Sequence, residues 1–207
     1  MSKKSVIINF GSGNILSVKR AIEYLGFEAE ISSEKEKILN ADRVILPGVG
    51  HFGAAIKNLT SIKNEILEFI KKQRPFMGVC LGMQLLYNKS EENNFKEKGF
   101  EIFNGNAVKL PSKPNFVVPH IGWAKLNFDK GFKNEKIFKN INNNSRFYFV
   151  HSYHCEDADA NSQKTYTNYN AFNFVSSATK DNVFAFQFHP EKSSKDGLQI
   201  YKNFFNV

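Results

Sequence analysis

The stretch from Arg74 to Leu86 constrains this chain most. An apolar run, Pro75 to Val79, ends in Cys80, Gly78 and Gly82 flank that cysteine, and a helix-forming sequence follows at once. Gly-x-Cys-x-Gly between strand and helix is the sulfur counterpart of the Gly-x-Ser-x-Gly turn. There a sharp bend lifts a nucleophile clear of a sheet, and glycines let neighbouring backbone come close. A thiol at a helix start also stands near the positive end of the helix dipole, which favours the thiolate. The bland alternative is a buried structural cysteine, but a core strand gains nothing from two glycines.

Upstream of this turn, strand-like and helix-like patterns alternate. Ser5 to Phe10 is β-rich and is broken by Gly11-Ser12-Gly13-Asn14; Ile15, Val18, Ile22 and Leu25 then share a helical face that Gly26 closes. Phe27 to Ile31 reads as a second strand, Glu34 to Leu39 as a helical patch, and Arg43 to Leu46 as a third strand stopped by Pro47-Gly48-Val49-Gly50. Ala54 to Lys72 carries Ile56, Leu59, Ile66, Phe69 and Ile70 at near-helical spacing and delivers the chain to the Cys80 strand. Such alternation predicts an α/β fold, a mostly parallel, doubly wound, flavodoxin-like sheet with helices on both faces, whose ligands bind beyond the carboxyl ends of the strands. The loops at Gly11, Gly48 and Gly78 are expected on one rim.

From Gly99 the pattern changes to β-rich runs, Gly105 to Leu110, Val117 to Phe128, Arg146 to Cys155 and Phe172 to Thr179, with a helix from Gly197 to Phe205. These predict an antiparallel extension of the sheet closed by a C-terminal helix. The Asn/Lys-rich stretch Asn127 to Asn144 reads as a surface loop or short helix and as the expected site of mobility. No repeat or linker interrupts the 207 residues, so a single domain spanning 1–207 is expected.

Composition excludes several classes. With 42% apolar and 23% charged residues the chain folds rather than staying disordered, and no apolar run reaches membrane-spanning length. Met1-Ser2-Lys3-Lys4 leads straight into a strand rather than a signal sequence, which predicts a cytoplasmic protein. Two cysteines, Cys80 and Cys155, imply no disulfide framework. The net charge of +8 is spread along the chain without a basic block, so a solvated surface accounts for it better than nucleic acid does.

A thiolate nucleophile needs a base, and the base needs an orienting acceptor. The strand-like run Val183 to Phe188 leads into His189-Pro190-Glu191, where a two-residue offset lets imidazole and carboxylate project to one face. Cys80, His189 and Glu191 therefore form a candidate triad. A lone His-x-Glu is usually an exposed strand end; its place after a strand able to lie beside the Cys80 strand raises its standing. Candidate oxyanion donors are the Leu81 N–H and an N–H of the Gly48-Val49-Gly50 loop, Val49 or Gly50, although for that loop taken alone a plain strand-to-helix turn is the better reading. Gln84, one helical turn beyond Cys80, can face the same pocket. His151, His154 and Cys155 suggest a metal cluster at first glance, but one extended strand puts the two histidines on opposite faces, so no metal is expected and His154 and Cys155 are read as structural. Gly11-Ser12-Gly13 lacks the rest of a phosphate-loop pattern.

Together these residues carry a family resemblance. Gly78-Val79-Cys80-Leu81-Gly82-Met83-Gln84 with Gln187-Phe188-His189-Pro190-Glu191-Lys192-Ser193 resembles the triad class I glutamine amidotransferases. Pro47-Gly48-Val49-Gly50 before Phe52-Gly53, Pro119-His120-Ile121-Gly122-Trp123, and Tyr148 to Tyr153 narrow the resemblance to the glutaminase subunits of imidazole glycerol phosphate synthase, the HisH family, from Ile8 to the C-terminus. The resemblance implies attack of Cys80 on the glutamine amide, protonation of the leaving ammonia by His189, and hydrolysis of a glutamyl thioester, without a cofactor. It also implies a heterodimer with a HisF-type (β/α)8-barrel synthase subunit that takes up the ammonia to make imidazole glycerol phosphate and AICAR in histidine biosynthesis. By the same resemblance Gly50, Gln84, Ser152 and Tyr153 line the glutamine pocket, and Asn14, Trp123 and Lys192 lie at the partner interface. Ala124 and Ala185-Phe186 depart from the usual pattern. They leave open a paralogous glutaminase subunit that feeds the amidation of a surface sugar; a non-catalytic binding protein on the same fold is disfavoured by the intact triad. The glycine-rich loop and the family's behaviour also predict an isolated subunit that is nearly inactive.

Overall fold

The computed structural model describes residues 4–11, 13–114, 116–129 and 136–207. In chain order the elements of the first half are β1 (Ser5–Ile8), α1 (Ile15–Tyr24), β2 (Glu30–Ser32), α2 (Lys35–Asn40), β3 (Arg43–Leu46), α3 (Phe52–Leu59), α4 (Lys63–Lys71), β4 (Phe76–Val79) and α5 (Leu81–Leu85). There follow β5 (Lys89–Ser90), β6 (Gly105–Lys109), β7 (His120–Lys125), β8 (Asn127–Phe128), β9 (Arg146–His151), β10 (Tyr153–Asp157), β11 (Gln163–Tyr169), β12 (Phe172–Lys180), β13 (Val183–Phe186) and α6 (Ser194–Phe204).

Strands β2, β1, β3, β4 and β13 lie side by side and parallel, and β12, β10 and β6 continue the sheet antiparallel from β13, with β5 parallel to β6 at the far edge. Strand β11 pairs with β12 and β8, and β7 with β9 forms a separate two-stranded sheet. Alternate residues of a strand face opposite sides, and here both sides are apolar. Val6 and Ile8, Val44 and Leu46, and Phe76 face a core covered by α2, α3, α4 and α5. Ile7, Ile45, Met77, Phe184 and Phe186 face a second core filled by α1, α6 and the inward side chains Phe147 and Phe149 of β9. This is the doubly wound sheet with an antiparallel extension that the sequence predicts.

Several boundaries differ for identifiable reasons. The helical stretch 54–72 is two helices joined by a 3₁₀ turn at Thr60–Ile62. The Thr60 hydroxyl donates back to the Ile56 carbonyl (3.0 Å), a side-chain bond that bends helices, and the bend lets Leu59, Ile62 and Ile66 all enter one core. Strand β11 has no apolar alternation, because its inward positions are threonines: Thr165 bonds the hydroxyls of Ser176 (2.9 Å) and Ser177 (2.7 Å), and Thr167 donates to the Lys125 carbonyl (3.0 Å). The stretch 127–144 is not simply surface. Ile137 and Phe138 are buried, and the Asn203 amide donates to the carbonyls of Ile137 (2.9 Å) and Lys139 (2.7 Å); residues 130–135 lie outside the described residues, as do Met1 to Lys3 and Ser12 of the glycine loop. Among the described residues no helix is long and apolar enough to cross a membrane.

The run Arg146 to Cys155 breaks at Ser152, so His151 ends β9 while His154 belongs to β10 of the main sheet. The two are separated by a change of sheet rather than by opposite faces of one strand, and among the described residues no group of three or more His, Cys, Asp or Glu could hold a metal. His151 bonds the Tyr153 carbonyl (2.8 Å) and His120 of β7 (3.2 Å), and His120 stacks on Tyr169 (4.1 Å). Burial pushes His120 down to about 4 and His151 down to about 3, and lowers His154 as well.

Close backbone contact ties the Cys80 turn to the sheet. A Cβ on Gly82 would run into the Leu46 carbonyl oxygen of β3, and one on Gly197 of α6 would run into the Pro190 carbonyl. Gly82→Ala is therefore expected to cost about 2 kcal/mol or more of unfolding free energy in urea titration. The buried imidazoles give a second expectation. They stay neutral in the fold while the unfolded chain takes up protons below about pH 6.5, so the unfolded state binds more protons and stability falls as pH drops from there toward about 4. Urea unfolding between about pH 7.5 and about 4.5 loses on the order of 1–3 kcal/mol per buried imidazole, and His120→Phe flattens that slope.

Candidate active site

Strands β4 and β13 run parallel with Gly78 beside Ala185 and Val79 beside Phe186, so both chains leave the sheet at the same edge. The Cys80 N–H donates to the Phe186 carbonyl (2.7 Å), which locks the nucleophile turn to the start of the Gln187–Glu191 stretch. Cys80 takes φ 53° and ψ −108°, a conformation unfavourable for a residue with a Cβ. The close packing of Gly82 on Leu46 and the bond to Phe186 hold it there. Its sulfur lies 3.8 Å from the Val150 carbonyl, to which the thiol can donate, and 3.7 Å from the Gln187 amide nitrogen. Helix α5 spans only five residues, so the dipole the sequence places behind the thiol is a short one.

His189 is buried, and its N–H donates to the Tyr148 carbonyl (2.9 Å) while Ser193 Oγ donates to its carbonyl (2.6 Å). Nδ1 bonds Glu191 Oε1 (2.7 Å), which fixes the tautomer and leaves Nε2 for proton exchange. Nε2 is wholly buried. Burial alone would lower this imidazole; the charge of Cys80 and a hydrogen bond to it, with the bond to Glu191 and its charge, outweigh that and raise it to about 10. Glu191 is held in turn by the Asn14 amide on Oε1 and by Tyr201 OH on Oε2 (3.4 Å), and burial together with the Glu191 charge pushes the Tyr201 phenol up, keeping it a donor. The Cys80 thiol, the His189 imidazole and the Glu191 carboxylate thus come together at one point of the sheet edge.

The other positions fall around this centre. The Leu81 N–H donates to the Gly48 carbonyl (3.3 Å), so it is engaged by the loop that carries Val49 and Gly50. Gly50, with φ 124°, is exposed at the end of that loop, Val49 is half-buried, and Gly13 of the β1 loop abuts the Val49 side chain. The loops after β1, β3 and β4 do share one rim. Gln84 is buried and donates from Nε2 to the Tyr153 carbonyl (3.0 Å) and to Gln187 Oε1 (3.1 Å). Ser152 anchors the Leu110 N–H through its carbonyl (2.9 Å), and the half-buried Tyr153 phenol is raised by burial and by Glu92 and Glu91. His51 and Glu92 cap α3 through the N–H groups of Gly53 (3.1 Å) and Phe52 (2.6 Å).

Of the three residues assigned to an interface, Asn14 turns its side chain inward onto Glu191. Trp123 packs edge-on against Tyr148 (5.9 Å between ring centroids), and Lys192 lies 6.0 Å from the same ring. Trp123 is 47% and its strand neighbour Ile121 is 60% exposed, making an apolar surface beside the triad. Sequence reasoning gave no separate role to Gln187, Tyr148 or His120. The signal for Gln187 was present: a lone amide in the otherwise apolar run Val183 to Phe188 needs buried partners.

The profile of the class-I glutamine amidotransferase family matches residues 6–207. The chain is 46% identical to the imidazole glycerol phosphate synthase subunit HisH of Pyrococcus furiosus over 96% of each chain. It is 45% identical to the HisH subunit of Methanocaldococcus jannaschii, over 97% of this chain and 98% of that one. Among solved structures, PurLQS from Thermotoga maritima aligns with a TM-score of 0.71 at 19% identity, covering 100% of this chain and 99% of that one. A further structure described as a glutamine amidotransferase aligns with a TM-score of 0.72 at 16% identity, covering 97% of each, a likeness of fold. With its Cys80 turn and His189–Glu191 pair on such a sheet, the chain belongs to the class-I glutamine amidotransferases and, within them, to the HisH glutaminase subunits of imidazole glycerol phosphate synthase.

Proposed function

We propose that this chain, as a single cytoplasmic domain, hydrolyses glutamine to glutamate and ammonia through a Cys80 thioester. In a heterodimer it delivers the ammonia to a HisF-type (β/α)8-barrel synthase that forms imidazole glycerol phosphate and AICAR. The observation that carries this reading is the buried His189, one strand over from Cys80, with Nδ1 on Glu191 (2.7 Å) and the Cys80 thiol bearing on the same ring. The Cys80 thiolate attacks the side-chain carbonyl carbon of glutamine. His189 gives its proton to the amide nitrogen as the carbon–nitrogen bond breaks, releasing ammonia and leaving a glutamyl thioester. Water, losing a proton to His189, then attacks the thioester and frees glutamate and the thiolate. Glu191 stabilises the imidazolium in both halves without taking a proton.

The oxyanion of each tetrahedral intermediate needs N–H donors, and Leu81 with Val49 or Gly50 are the candidates. Because the Gly48 carbonyl holds the Leu81 N–H in this structure, the loop must turn for that donor to serve, which supports an idle resting subunit. The apolar face of Ile121 and Trp123, with Lys192 against Tyr148, is the surface on which the synthase would sit, close enough for its docking to move the loop. Gln84, anchored to Tyr153 and Gln187, and the neighbouring Ser152 and Gly50 would hold the glutamine.

Glutamate release is expected to be slow for the chain alone and to rise at least tenfold with the same organism's barrel synthase and its ribulosyl nucleotide, with imidazole glycerol phosphate formed. An unstimulated rate beside an intact triad would redirect the search to a sugar-amidating synthase. Cys80→Ala should abolish glutamate release. Glu191→Gln should lower kcat by about 10²-fold or more with little change in KM, since the carboxylate acts on the imidazolium rather than on glutamine.

A further inference from the structure

We infer that Gln187 is a catalytic residue of this site: its side-chain amide donates a hydrogen bond to the Cys80 sulfur and stabilises the thiolate, oriented by a buried chain of bonds that starts at the Tyr153 carbonyl. This deepens the proposed function and depends on it only for the consequence in turnover.

The direction of every bond in that chain follows from its anchor. A main-chain carbonyl only accepts. The Tyr153 carbonyl takes bonds from His151 Nδ1 (2.8 Å) and from Gln84 Nε2 (3.0 Å), which fixes which end of the Gln84 amide is nitrogen. The same Nε2 reaches the Gln187 side chain at 3.1 Å, where a second nitrogen would set donor against donor, so the Gln187 oxygen faces Gln84. Its nitrogen then faces the sulfur, at 3.7 Å. On the other side, a proton on His151 Nδ1 leaves Nε2 to accept from His120 Nδ1 (3.2 Å). Both imidazoles stay neutral well below neutrality, at about 3 for His151 and about 4 for His120, so the polarity of the chain holds wherever a thiol ionises.

The sulfur needs such a donor. The Val150 carbonyl, 3.8 Å away, accepts from a thiol but repels a thiolate, and the five-residue α5 offers only a short dipole. The titratable groups around Cys80 are His189 with Glu191 behind it, Cys155 on β10, and His151 on β9. Cys155 is held as a thiol by burial and by Asp157 and Cys80, and His151 is neutral, so among the described side chains positive character reaches the sulfur from His189 and the Gln187 amide. Gln187 is fully buried, and among the described residues its side-chain amide bonds Gln84 and the sulfur, which offset that desolvation.

The test is the rate of Cys80 carboxamidomethylation by iodoacetamide from about pH 5 to about pH 10 in the full chain, with peptide mapping to separate Cys80 from Cys155. In Gln187→Met, similar in shape but without a donor, the midpoint is expected to rise by about one pH unit, roughly tenfold less thiolate below the midpoint. An unchanged midpoint with a lowered Tm means that Gln187 merely fills the core, and overturns the assignment. Should Gln187→Met fail to fold, Gln187→Asn, which keeps the amide but withdraws it by one methylene, is read the same way: a raised midpoint supports the assignment and an unchanged one overturns it. Alkylation reads the thiol and not glutamine, so failure to hydrolyse glutamine would count against the proposed function alone.

Discussion

The site depends on the parallel pairing of β4 with β13. The two strands come from distant parts of the chain, yet one bond from Cys80 N–H to the Phe186 carbonyl (2.7 Å) joins the turn that carries Cys80 to the stretch that carries His189 and Glu191. Because the pair is parallel, both exits lie at the carboxyl edge, where an open α/β sheet presents its ligand crevice. Slip that register by one residue and His189 would turn away from Cys80.

Around that pairing, strain and burial are arranged to be mutually supporting. Cys80 keeps a positive φ because Gly82 lets the turn press onto the Leu46 carbonyl. His189 is buried and nevertheless held toward its protonated form, because Cys80 and Glu191 flank it. Asn14, at the N-cap of α1, and Tyr201 of α6, two helices that cover the same face of the sheet, both donate to the Glu191 carboxylate, so the packing of one core sets the orientation of His189. The amide side chains nearest the sulfur, Gln187 and Gln84, are buried, where each bond is stronger for the exclusion of water and each missing bond costlier.

The antiparallel half supplies the other wall. Strands β7 and β9 stand apart from the main sheet: the Tyr148 and Val150 carbonyls of β9 meet His189 and Cys80, while Ile121 and Trp123 of β7 are exposed. One small sheet therefore contacts both the chemistry and the surface proposed for the synthase, a short physical path by which docking can reach the loop at Gly48.

What the sequence determined by itself is the local chemistry: the strand–cysteine–helix turn, the His-x-Glu step after a β run, the alternation of strands and helices, and enough ordered motif to reveal the family. These were legible because each depends on near neighbours, through the period of a helix or strand and the backbone freedom of glycine. The tertiary structure decided what depends on partners far apart. Strand β11 was hidden because its buried threonines are satisfied by serines of β12, and the helix over 54–72 broke because Thr60 bonds back onto Ile56. Asn14, expected at or near the partner interface, also donates to Glu191, and Gln187 gained a role only when a bond to Gln84, 103 positions away, fixed which atom it shows to sulfur. Hydrogen-bond direction is a property of the pair, so no reading of either residue alone could have supplied it.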